Sequence, residues 1–169
     1  MDGDRAPLSE LVELKKRFGA LLMLDEAHAV GVIGPNGRGL AAEQNASGGI
    51  DVQMGTLSKA LGTAGGYICG SRILIEWMIN RARSFIYSTA PPPAIAAAAL
   101  AAVDFLSSPE GEQRRLLLWA RINLMRQLLS SDGLGSEAIN YQLNSRQRDF
   151  HVGRRRRARD TQSCECPPR

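Results

Sequence analysis

The run ALLMLD at residues 20–25 constrains the fold more than any other stretch of the chain. Its apolar residues are continuous rather than alternating, the run is too short for a helix, and it stops at an acid. That pattern fits a strand covered on both faces, as in a parallel sheet. A helical pattern precedes it in PLSELVELKKRF. There Pro7 opens the first turn, Leu8, Leu11, Val12 and Phe18 fall on or near one face, Lys15, Lys16 and Arg17 load the last turn, and Gly19 closes it. After the run comes a loop by composition, GVIGPNGRG, then a second strand pattern in IDVQMGT and a third in GGYICGS. The sequence predicts strands near residues 20–24, 51–55 and 65–69. SRILIEWMINRAR has the period of an amphipathic helix, PPPAIAAAALAAVDFL reads as a proline-started alanine-rich helix, and EGEQRRLLLWARINLMRQLLS as a long one. Strands alternating with helices predict an α/β fold, a mostly parallel sheet with flanking helices.

A length of 169 residues supports one ordinary domain. No apolar run approaches the roughly 20 residues of a membrane span, and MDGDRAPLSE carries acids where a secretory signal needs an apolar stretch, so the expected compartment is the cytoplasm with no membrane partner. Cys69, Cys164 and Cys166 are too few for a disulfide framework or a four-ligand zinc site, and no metal is expected. The formal charge of +4 invites a nucleic-acid reading, which its distribution removes. Residues 1–140 hold 13 basic and 14 acidic side chains, net −1, whereas residues 141–169 hold 8 arginines and 3 acids, net +5. No nucleic-acid partner is expected of the ordered part. The chain therefore divides into residues 1–140 and an Arg-rich tail, 141–169, expected to be disordered.

In open α/β sheets functional groups collect at the carboxyl ends of strands. Asp25 and His28 follow the first predicted strand; Thr56 and Lys59 follow the second. DEAH at residues 25–28 has a plain reading, a strand-end acid with a loop histidine, and two chemical ones. Nucleotide hydrolysis would need a phosphate-cradling GxxxxGK[ST] loop, and GTLSKALG has the wrong glycine spacing. The other chemical reading joins Asp25 to Lys59 in a pyridoxal phosphate (PLP) site, in which the lysine forms a Schiff base and the carboxylate keeps the pyridinium nitrogen protonated. The glycine-rich backbone of GTLSKALGTAGGY would admit a flat cofactor, and Thr56 offers a hydroxyl to phosphate.

LDEAHAVGVIGPNGRG, DVQMGTLSKALGTAGGYICGS and FIYSTAPPP, in that order and spacing, resemble the α-oxoamine synthases, PLP-dependent acyltransferases of fold type I. The resemblance covers about residues 1–139. It implies a partial PLP-binding large domain over 1–140 in which Lys59 is the Schiff-base lysine, Asp25 pairs with the pyridine nitrogen and His28 hydrogen-bonds the ring 3′-oxygen. Thr56 would contact the phosphate, and Ser88 and Thr89 the phosphate of the partner subunit in a homodimer. The implied reaction removes the α-proton of an amino acid through Lys59, joins the resulting carbanion to an acyl thioester carried by CoA or a carrier protein, and releases carbon dioxide. Pimeloyl thioester and L-alanine, a step of biotin biosynthesis, are the expected substrates; acetyl-CoA with glycine, as in glycine C-acetyltransferase, is the alternative. Complete family members are longer, so a fragment inactive by itself is expected, with a non-catalytic remnant as the alternative of another class. The tail has none of the strand pattern that the resemblance implies there, and its arginine run reads as a shifted frame.

Overall fold

A computed structural model describes residues 5–131 and the backbone of residues 150–154. Helix α1 (Leu8–Phe18) ends where Gly19 enters the left-handed region at φ 59° and its N–H donates to the carbonyls of Lys15 and Lys16, a geometry that favours glycine. Pro7 supplies no side-chain cap, and the start of α1 is held from a distance instead: Leu8 N donates to Gln44 Oε1 at 3.0 Å. Strand β1 (Ala20–Asp25) follows at once, then the four-residue helix α2 (Leu40–Glu43), strands β2 (Val52–Thr56) and β3 (Gly66–Gly70), helix α3 (Arg72–Arg81), the single turn α4 (Arg83–Ile86), the long helices α5 (Pro93–Leu106) and α6 (Pro109–Ser131), and strand β4 (Phe150–Arg154). The three predicted strands lie within a residue of their expected places. The segment read as one helix from Ser71 is broken at Ala82, whose extended backbone starts a new turn.

The sheet order is β3-β2-β1-β4. β1 and β2 run parallel, but β3 is antiparallel to β2 and β4 is antiparallel to β1, so the sheet is mixed rather than mostly parallel. The β3 direction follows from the nine residues between Thr56 and Gly66, which are too few for the crossover a parallel neighbour requires. Strand β4 lies within the tail 141–169 that the sequence reading expects to be disordered, and it pairs along the outer edge of β1, whose backbone donors and acceptors an added strand satisfies. The rest of that expectation, and the boundary at residue 140, lie outside the described residues.

Register sorts the side chains. Asp25 stands opposite Met54, and Met54 opposite Ile68, on one face; Leu22 and Leu24 point to the other. That second face carries the core, where Leu8 of α1, Leu24 and the α2 residues Leu40 and Ala41 are buried together and Leu11, Ile33 and Ile50 pack around them. Lys15 reinforces the α1 contact by pairing with Asp51 at 2.6 Å, while Asp51 accepts from Leu22 N at 2.8 Å. No described helix is long and apolar enough to cross a membrane.

Candidate active site

Because β1 and β2 are parallel and in register at Asp25 and Met54, their carboxyl ends open at the same edge of the sheet. The pairing continues one residue past β1, with Glu26 N donating to Met54 O at 2.7 Å. Asp25 is half-buried at this edge, and its Oδ1 accepts from Ala27 N at 2.8 Å, which bends the chain out of the strand; no donor among the described residues engages Oδ2. His28 lies exposed in the turn that follows.

Thr56 closes β2, and Lys59 sits three residues later in the loop 57–65, exposed to solvent. This loop is closed upon itself. Leu57 N donates to Gly65 O at 2.9 Å, Thr63 N and Thr63 Oγ1 both donate to Leu57 O at 2.8 and 3.0 Å, and Gly62 N donates to Lys59 O at 3.0 Å. The Thr56 hydroxyl belongs to the same network: it donates to Gly65 O at 3.0 Å, lies 2.8 Å from Ser58 Oγ and accepts from Ser58 N at 3.2 Å. Gly62 and Gly65 have φ of 64° and 99°, and a methyl at either would meet nothing within 4 Å. Backbone handedness rather than crowding thus requires glycine there, and open space lies beside the loop.

Ser88 and Thr89 are exposed in the segment between α4 and α5, where Ser88 Oγ donates to Thr89 O at 3.4 Å. Two clefts flank the loops. One, of about 520 Å³, runs between the turn after β1, the Lys59 loop and helices α5 and α6, lined by Gly31, Ala60, Leu61, Phe105 and Arg115. The other, of about 480 Å³, lies between β2, β3 and α3–α4 and is mostly apolar.

Sequence reasoning missed what holds the loop after β1. Glu26 is only 4% exposed, and its Oε1 accepts from Ala41 N at 2.9 Å. Burial raises its carboxyl above the ordinary value, opposed by the Ala41 and Leu40 amides. A carboxylate so used is not the solvent-facing magnesium ligand that a nucleotidase reading of DEAH requires. From outside, Trp119 Nε1 of α6 donates to Val32 O at 3.1 Å. Arg115, 6% exposed, donates to Leu106 O at 2.8 Å and pairs with Glu112. Tyr67 has its phenol pushed up by burial, then by the charges of Cys69 and Glu26. A glutamate beside an aspartate at a strand end was the one signal for Glu26, and nothing local marks Trp119, whose partner is 87 positions away.

This edge, with an acid at the end of one strand and a lysine in the loop after its parallel neighbour, defines a class: the chain belongs to the class I and II aminotransferase family, whose sequence profile matches residues 1–144. Among curated relatives it is 48% identical over 140 residues to the 8-amino-7-oxononanoate synthase of Citrifermentans bemidjiense, and 52% identical over 140 residues to that of Geobacter sulfurreducens. Each match takes in 81% of this chain and 36% of the relative, so the chain spans about a third of the length of the curated relatives it matches. Among solved structures it is similar to a serine palmitoyltransferase from S. paucimobilis with PLP bound, at a TM-score of 0.72 and 34% identity over 78% of this chain and 33% of that one. It is also similar to the 8-amino-7-oxononanoate synthase of Francisella tularensis, at a TM-score of 0.59 and 34% identity over 64% of this chain and 32% of that one.

Proposed function

We propose that this chain is the cofactor-holding part of a PLP-dependent acyltransferase, an 8-amino-7-oxononanoate synthase, which joins a pimeloyl thioester to L-alanine with loss of carbon dioxide. One observation carries the reading: Asp25 and the Lys59 loop open at one edge because β1 and β2 are parallel and in register. The donor set fits PLP. A carboxylate has one oxygen unengaged by the described residues, a primary amine is exposed on a loop fixed by its own backbone, and the glycines beside that amine leave open space. When bound, the cofactor supplies an electron sink for the carbanion at the substrate α-carbon.

The chain's own residues do the rest. Asp25 holds the proton on the pyridine nitrogen, and His28 offers a ring N–H to the 3′-oxygen. Lys59 would hold the cofactor through its Nζ, and the same amine would serve as the base that takes the α-proton of the amino acid. Thr56 would contact the phosphate, in exchange for the bond its hydroxyl donates to Gly65 O. Ser88 and Thr89 would serve the phosphate of a second subunit in a homodimer, as the family resemblance implies, and the enzyme works in the cytoplasm.

The substrate test uses a full-length enzyme carrying this segment, offered pimeloyl-CoA with alanine against acetyl-CoA with glycine. Preference for the first pair is expected; preference for the second would reassign the enzyme to glycine C-acetyltransferase chemistry.

A further inference from the structure

We propose that Glu26 is a positioning residue whose buried carboxylate, by fastening the amide end of α2 to the end of β1, fixes the loop 27–39 and with it the ring of His28. The inference rests on the proposed function, since that reading makes His28 a cofactor contact.

Three groups of one residue hold three segments. The Glu26 N–H donates to Met54 O of β2 at 2.7 Å. Its carbonyl accepts from Ala29 N at 2.9 Å and Val30 N at 3.0 Å, closing the turn that contains His28. Its side chain spans to the far end of the loop, where Oε1 accepts from Ala41 N at 2.9 Å and the Leu40 amide also lies in hydrogen-bonding reach. The loop between these anchors is stitched by Gly31 N to Gly37 O at 2.8 Å and Gly39 N to Ile33 O at 2.9 Å. Fit around the carboxylate is tight: a methyl on Gly39, at φ 94°, would lie 2.5 Å from Oε1. The carboxylate is thus the side-chain link between the end of β1, where the turn carrying His28 begins, and the helix end 13 residues beyond that histidine. A helix of four residues contributes little by itself, so capping α2 alone does not account for sinking a charged group here.

A residue that only stabilised the fold would, when replaced, lower stability without selectively altering His28. The test is run on the whole chain, with Glu26→Leu, which keeps bulk and removes the acceptor, and with Leu74→Ala as a control that weakens the packing of α3 over Gly70 of β3, away from this loop. Without PLP, the expected result is that Glu26→Leu shifts or broadens the His28 ring NMR signal, assigned with His28→Asn. Amide exchange over 27–41 should also rise about tenfold or more, as loss of a buried charge-assisted bond implies. Leu74→Ala should leave both unchanged. If Glu26→Leu does not fold, Gly39→Ala crowds the same carboxylate from the other side and should give the same His28 change. An unaltered His28 signal and unaltered loop exchange in the folded variants would overturn the proposal. With PLP added, Glu26→Leu and His28→Asn should weaken binding together, by about tenfold. If His28→Asn binds PLP as the wild type does while the signal still responds to Glu26, the cofactor role of His28 fails and the positioning role stands.

Discussion

At the scale of single residues, Gly39 and Glu26 depend on each other. Gly39→Ala puts a Cβ against Oε1 at a backbone angle that L-residues rarely adopt, and is expected to cost about 1–3 kcal/mol in urea unfolding. Glu26 also gives stability a pH dependence whose sign is fixed. Its folded carboxyl is raised above 4.5, so between the two values the folded state binds more protons than the unfolded one, and stability falls as pH rises through that window. Unfolding followed from pH 4 to pH 7 should show this fall, and Glu26→Gln should flatten it. A slope equal in both proteins would mean that the carboxyl is not perturbed by burial. Asp25, His28, Thr56 and Lys59, proposed as cofactor contacts, could be singled out in the sequence because chemistry in α/β sheets gathers at strand ends and these types stand there. Glu26 could not, because its partners are the amides of Ala41 and Leu40, and a backbone N–H leaves no mark on composition.

At the scale of elements, the apolar run ALLMLD located β1, and strand patterns beside glycine-rich loops located β2 and β3, each to within a residue. The direction of β3 was available too, in the nine-residue loop, but repeated alternation of strands and helices suggested parallel neighbours throughout. Helix α6 was visible by its length. What it docks on was not, because the contact runs from an indole N–H to a main-chain carbonyl remote in sequence. Trp119→Phe keeps the ring and removes that donor, so it should lower stability by about 1 kcal/mol and raise amide exchange most within 29–39. Exchange rising only within α6 would mean that the helix does not restrain the loop.

At the scale of the whole molecule, the buried apolar side chains among the described residues are those of α1, α2 and one face of β1, with Leu61 of the loop 57–65, while α3, α5 and α6 expose Ile73, Trp77, Leu100, Leu116, Leu124 and Met125. Each large apolar side chain left in water forgoes roughly 1.5–3 kcal/mol, and a domain has only about 5–15 kcal/mol to lose. The chain expressed by itself should therefore self-associate or bind a hydrophobic dye, as light scattering and dye fluorescence would show; a monodisperse monomer with a sharp thermal transition would contradict this. The account as a whole turns on Lys59. PLP added to the chain should give an absorbance band near about 420 nm, and borohydride reduction should leave the cofactor on the peptide that contains Lys59. Lys59→Ala should show neither. A band of equal strength in that variant, or the label on another lysine, would contradict the account.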